Sequence, residues 1–192
     1  MSDEARHDLD SLVGVLLVAM PSMDDPRFAR SVILVCQHGS DGAMGLVVNR
    51  LAEYHLRDVF EQMQITVKRP PLLEQPVLQG GPVHSDRGFV LHDGEREWDS
   101  SLRVGASLAV TTSRDVLEAL ARDEGPRHFL LALGYAGWGE GQLEAELAEN
   151  AWLTVPADAD LLFDVPLEQR WAAANSRLGF DPRNLAGYAG HA

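Results

Sequence analysis

The sequence predicts an α+β fold built on a mixed, curved β-sheet with helices packed around it. Short segments rich in Val, Ile and Leu, each of strand length, dominate the first two-thirds of the 192 residues. Helical patterns are inserted among them without the regular strand–helix alternation of a doubly wound parallel sheet. No linker is long enough to divide the chain, and there is no internal repeat or low-complexity segment. The expected organisation is a flexible N-terminal tail over residues 1–12 and one domain over 13–192.

Along the chain, "VGVLLVAM" (13–20) reads as a buried strand over 13–19, and "DDPRFAR" (24–30), with Pro26, as a loop or short helical turn. "SVILVCQH" (31–38) is a second strand. It turns through "GSDG" (39–42) into "AMGLVVNR" (43–50), which predicts a hairpin. In 55–63, Leu56, Val59, Phe60 and Met63 recur at helical spacing. The three prolines of "VKRPPLLEQPV" mark a loop. "VLQGGPV" and "DRGFVLH" (86–92) then predict two strands around a Gly-Gly-Pro turn. "ASLAVTTS" (106–113) is a strand. Residues 113–125 form a helix, with Ser113 as N-cap, Asp115 in the first turn and Gly125 past its end. "RHFLLALGYA" (127–136) is a strong strand, 140–150 a helix and "AWLTVPA" (151–157) extended. The last helix enters at Pro166 and sets Leu167, Trp171 and Leu178 on one face, and the Gly-rich "GYAGHA" closes the chain.

Composition narrows the function classes. Hydrophobic residues make up 45% of the chain and charged residues 23%, ordinary values for a globular protein. No apolar run approaches the length of a membrane span. The start "MSDEARHDLD" is acidic and polar, unlike a signal peptide, so the expected location is the cytoplasm. The net charge is −13, Lys68 is the only lysine, and the arginines are scattered. Non-specific nucleic-acid affinity comes mainly from cations on phosphates, so this pattern argues against direct DNA binding.

Three features could carry chemistry. The turn Gly137-Trp138-Gly139-Glu140-Gly141 follows a strand and precedes a helix, the layout of a dinucleotide site. Its third glycine is one position early, and Glu140, Glu144, Glu146 and Glu149 would oppose a phosphate, so it reads as architecture. Cys36, the single cysteine, lies two residues from His38 on one strand face. An adjacent imidazole could make a reactive thiolate, although a cysteine after "SVILV" is more often a small core residue. Finally, Asn49, Arg50, Asp86, Arg87, Ser113 and Arg114 sit at strand ends or a helix start. If these ends converge on one rim, Arg50, Arg87 and Arg114 form an anion site. The alternative is that Asp86, Arg87, Arg114 and Asp115 pair with one another and pin turns. Neither a metal-ligand spacing among the seven histidines, nor G-x-S-x-G, nor a phosphate-binding loop is present, so no metal and no cofactor is expected.

Several blocks in fixed order resemble the YqgE/AlgH family: "AMPSMDDPRFARSVILVCQH", "GAMGLVVNR", "QGGPVHSDRGFVLH", "LAVTTSRDVLEALA", "LGYAGWGEGQLEAELAENAWL", "LLFD" and the terminal "AGHA". Gln37 stands where the family usually has an acidic residue, and Leu51 where proline is frequent. The resemblance implies a mixed sheet closing towards a barrel. It also implies a protein without established biochemical activity, whose transcriptional-regulator label rests on a genetic association rather than a DNA-binding motif. The expected function is therefore that of a non-enzymatic cytoplasmic protein acting through a protein partner or a small anionic ligand. The alternative is a redox-sensing or catalytic thiol protein using Cys36.

Overall fold

The structure, a computed structural model, describes residues 11–179. Most of the expected N-terminal tail and the Gly-rich end lie outside the described residues. The branched runs read as strands do form them: β1 (Val15–Ala19), β2 (Val32–Gly39) and β3 (Gly42–Val47) are successive antiparallel neighbours, with the β2–β3 hairpin closed at Gly39 and Gly42. Two strands appear where none is predicted, β4 (Leu51–His55) and the short β7 (Ser101–Val104). The others are β5 (Pro76–Gln79), β6 (Val83–Asp93), β8 (Leu108–Thr111), β9 (Phe129–Trp138) and β10 (Trp152–Pro156). Within the loop expected around the three prolines, Pro70–Glu74 form a 3₁₀ turn.

The main sheet path runs β10-β1-β2-β3-β9-β6-β8-β7, with β5 joined to β9 and β4 to β5. Only β5 and β9 run parallel, which makes the sheet mixed. The path curls into a half-barrel, and its last strand, β7, returns against β2. Leu16, Val18, Leu34, Leu46, Leu91 and Val110 fill the inside of the curl. Alternate residues of the same strands face outward. One outer patch, around Ile33, Val35, Trp138 and Trp152, is covered by α3 (Gln142–Ala148) through Leu143. A second, around Val77, Val90 and Leu131, is covered by α1 (Leu56–Gln62) and α2 (Arg114–Ala121). The predicted face Leu167, Trp171 and Leu178, around α4 (Arg170–Ser176), packs against the inner core.

Where β5 gives way to β6, Gly80 and Gly81 cross the backbone of β9. Gly81 has φ +155, and a Cβ there would lie 2.1 Å from the Tyr135 carbonyl carbon. Gly134 answers from the other side, with φ +76. Immediately afterwards the β6–β9 register slips. Val83 faces Tyr135 and Gly88 faces Leu133, so residues 84–87 bulge out opposite Gly134 alone.

β6, β8 and β7 are also joined by a buried polar chain whose proton direction follows from its ends. Nδ1 of the fully buried His92 lies 2.6 Å from the Asp93 carbonyl, which can only accept. In the neutral ring Nε2 must then accept, and the Thr111 hydroxyl donates to it over 2.8 Å. Ser101 Oγ in turn donates to Thr111 Oγ1 at 2.7 Å and accepts the Trp98 N–H at 2.8 Å. Satisfying each buried group in this way removes a penalty of roughly 1–3 kcal/mol per unpaired atom.

Helix α2 starts at the predicted Ser113, but the serine does not cap through its side chain. Its Oγ accepts the Ser100 N–H at 2.9 Å and donates to Asp115 Oδ1 at 2.5 Å, and Asp115 takes the Val116 N–H. The helix stops before the expected Gly125. Asp123, at φ 64, takes the left-handed position, and Gly125 lies against Leu120 instead.

Candidate functional site

At the mouth of the curl, a cleft of about 1210 Å³ opens between the β2–β3 hairpin and the returning strand β7. The hairpin contributes residues 36–44. Arg87 and Phe89 come from β6, residues 100–103 from β7 and its approach, and Tyr135 and Trp138 from β9. Phe89 meets Tyr135 edge-on at 5.8 Å, and the His84 ring lies 5.9 Å from Tyr135. The Arg87 guanidinium sits 5.4 Å from the centre of the Phe89 ring. The ring supports the cation without neutralising it. Among the described residues Arg87 makes no ion pair. Arg103 also lines the cleft and pairs at 3.1 Å with Glu97, both groups being more than half exposed.

The structure divides the residues singled out in the sequence. Arg87 lines the cleft, and Asp86 is exposed beside it on the bulge. Arg50 and Arg114 do not join them, so the expected shared rim of three arginines does not form. Arg50 donates to the carbonyls of Pro26, Arg27 and Ala29 and clamps that loop. Its burial lowers the guanidinium's pKa, partly offset by Asp25. Asn49 completes the clamp, accepting the Val32 N–H and donating to the Arg30 carbonyl, each at 2.8 Å. Arg114 pairs with Glu118 one turn along α2 at 2.7 Å and donates to the Met63 carbonyl at 2.8 Å, tying α2 to the end of α1. Ser113 is engaged at the start of α2. Asn49, Arg50, Ser113 and Arg114 are thus each engaged in hydrogen bonds within the fold.

Cys36 and His38 share a strand but no hydrogen bond. Cys36 is 1% exposed, and burial pushes its thiol up to about 12. Its Sγ donates to the Leu34 carbonyl, 3.5 Å away, and a backbone hydrogen bond from Leu46 only partly opposes the effect of burial. His38 is turned to other work: its Nδ1 accepts the Leu12 N–H at 3.2 Å, which leaves Nε2 as the N–H that reaches Glu144 Oε1 at 2.6 Å. The geometry gives no support to a reactive thiolate, since a thiol buried away from water without a bond to His38 has nothing to stabilise its charged form. A disulfide reagent at pH 8 is accordingly expected to label Cys36 no faster than the protein opens. Labelling at the rate of a small free thiol would show the site to be accessible after all.

The glycine-rich turn is architectural. The Gly139 N–H is taken by Gln142 Oε1 at 3.0 Å, and Gly141 stands before α3 with φ 68. Gln142 Oε1 thus closes the turn ahead of α3, and no side chain caps the helix itself. Trp138 lies in the outer patch beneath α3, and its indole N–H donates to Glu146 Oε2 at 2.9 Å. Trp152 donates to the same oxygen at 2.8 Å. Sequence reasoning missed Phe89, Tyr135 and Arg103 as cleft residues. The spacing of Arg87 and Phe89, two apart on one strand and so on one face, is the signal that could have linked them.

Among the described residues there is no group of three His, Cys, Asp or Glu side chains placed to hold a metal, and no helix long and apolar enough to cross a membrane. The family model described as AlgH-like matches residues 16–183. A UPF0301 protein of Xanthomonas campestris is 58% identical over 181 residues, which cover 94% of this chain and 96% of that one. A UPF0301 protein of Stenotrophomonas maltophilia is 59% identical over the same shares. The solution structure of the AlgH protein from Pseudomonas aeruginosa superposes with a TM-score of 0.78 at 47% identity, over 95% of this chain and 97% of that one. A crystal structure from Corynebacterium diphtheriae shares the fold, with a TM-score of 0.70 at 24% identity over 86% of each chain.

Proposed function

This chain belongs to the AlgH-like family, and from that premise we propose that it is a non-enzymatic cytoplasmic binding protein whose working surface is the cleft between the β2–β3 hairpin and β7. It acts in regulation by taking up a ligand that presents a carboxylate or phosphate group. One observation carries the reading: Arg87 stands in the cleft over the Phe89 ring with no carboxylate partner among the described residues. Scattered arginines of a protein with a net charge of −13 usually meet a carboxylate, as Arg27, Arg57 and Arg69 do here. An aromatic platform holds a guanidinium ready for an oxyanion at little entropic cost.

The test is thermal. Ten millimolar phosphate or a short dicarboxylate, bound with a Kd of about 1 mM, should stabilise the protein by about 1.4 kcal/mol, or roughly 3–6 °C in Tm. Arg87→Ala should remove that increment while leaving the unliganded Tm nearly unchanged, because the side chain is exposed. An unshifted wild type, or an equal shift in the variant, would remove the proposal.

A further inference from the structure

We infer that the cleft receives an extended acidic peptide, which adds as a strand to the free edge of β7. This rests on the reading of the cleft as a binding surface and specifies its occupant. The main sheet path ends at β7, which pairs with β8 alone. The Thr112 N–H donates to the Ser100 carbonyl at 3.1 Å, and Ser101 lies opposite Thr111. Antiparallel pairing alternates. Leu102 and Val104 therefore spend their backbone groups on β8, and Ser100 spends its own on Thr112 and Ser113 just beyond it, while the N–H and C=O of Ser101 and Arg103 point to the open edge, on the side of the cleft.

The far end of β7 is not available. There Gly105 packs against Gly14, whose added Cβ would lie 3.2 Å from the Gly105 Cα. The gap is thus a wedge, closed at Gly105 and open at Ser101. Its volume of about 1210 Å³ exceeds the roughly 300–1,000 Å³ typical of small-molecule pockets. An unpaired edge lining a space of that size suits strand addition, in which main-chain bonds supply affinity and alternate side chains supply selectivity.

Charge decides which peptide. The charged side chains lining the wedge are Arg87, Arg103 and Asp41, and His38, Cys36 and Tyr135 are its other titratable groups. Glu97 holds Arg103, and Glu144 holds His38. Exposed pairs such as Arg103–Glu97 exchange partners readily. With Arg87 free, the wall offers two guanidinium groups on a protein that is otherwise strongly acidic. The exposed Leu102 and the half-buried Tyr135 accept the intervening apolar side chains.

The experiment uses the full chain and a capped eight-residue peptide of alternating Glu and Val. Two N-methylated versions are compared, one blocked on each backbone edge. Binding should slow amide exchange at Ser101 and Arg103 at least tenfold, with no change at Leu102. N-methylation on one edge should weaken binding at least tenfold, and on the other edge not at all. Equal affinity for both methylated peptides, or unaltered exchange at Ser101 and Arg103, would overturn strand addition. Phosphate stabilisation that depends on Arg87, together with no peptide binding, would overturn strand addition alone. If neither phosphate nor peptide distinguishes Arg87→Ala from wild type, both readings fall.

Discussion

Gly81→Ala is expected to abolish stable folding. The added methyl would lie 2.1 Å from the Tyr135 carbonyl carbon, 2.2 Å from its oxygen and 2.4 Å from the Ala136 nitrogen. All three are backbone atoms, so no side chain can swing aside. The residue also holds φ +155, which L side chains rarely adopt. Relief would require moving β9, which carries β3, β5 and β6 at once. A cost of about 4–5 kcal/mol is at the exceptional end for a single substitution, enough to exhaust a stability at the lower end of the typical range of about 5–15 kcal/mol. Gly137→Ala is the matched control, because its nearest contact is the Tyr135 ring at an ordinary 3.6 Å. Thermal denaturation followed by circular dichroism should show Gly137→Ala close to wild type and Gly81→Ala unfolded or barely folded. A Gly81→Ala Tm within a few degrees of wild type would refute the close crossing.

Glu146→Ala is the second large effect, about 3 kcal/mol. The half-buried carboxylate accepts both indole N–H groups through Oε2 and the Gln142 amide through Oε1, the last at 3.0 Å. Trp138 is 6% and Trp152 3% exposed, so truncation leaves two buried donors poorly served, each at about 1–3 kcal/mol. It also detaches α3 from the outer face of the sheet. Glu146→Gln keeps an acceptor oxygen and should cost roughly half as much, since only the charge assistance is lost. Urea unfolding monitored by tryptophan fluorescence measures both variants. An alanine variant with an unchanged midpoint would mean that water replaces the carboxylate at no cost.

Elements with strong local patterning were legible from sequence. "SVILVCQH" could only be a buried strand, and the hairpin after it follows from "GSDG". β4 was not, because Leu51, Glu53, Tyr54 and His55 are exposed and leave no alternation to read. β7 has four residues, too few to show a period, and exists because β8 offers it a partner. The candidate site was legible only at Arg87. Arg50 and Arg114 have the same local appearance, a polar residue at the end of an apolar run. What distinguishes them is which carbonyls the fold brings near, those of residues 26–29 for one and of Met63 for the other. Charge satisfaction by distant main chain leaves no mark on the sequence.

The order of strands in the sheet bears on how the protein is made. β1 is flanked by β2 on one side and by β10 on the other, where Val15 faces Pro156, about 140 positions later, so a large share of the ladder is non-local and folding is expected to be slow. β9, which anchors β3, β5 and β6, is itself encoded late. At a synthesis rate of about 5–20 residues per second, the β1–β3 meander waits roughly 5–20 s with both outer edges unpaired before β9 leaves the ribosome. During that interval the branched, apolar "VGVLLVAM" and "SVILVCQH" are the segments most exposed to wrong partners. Nascent-chain shielding would matter more to this protein than to a helical bundle of the same length.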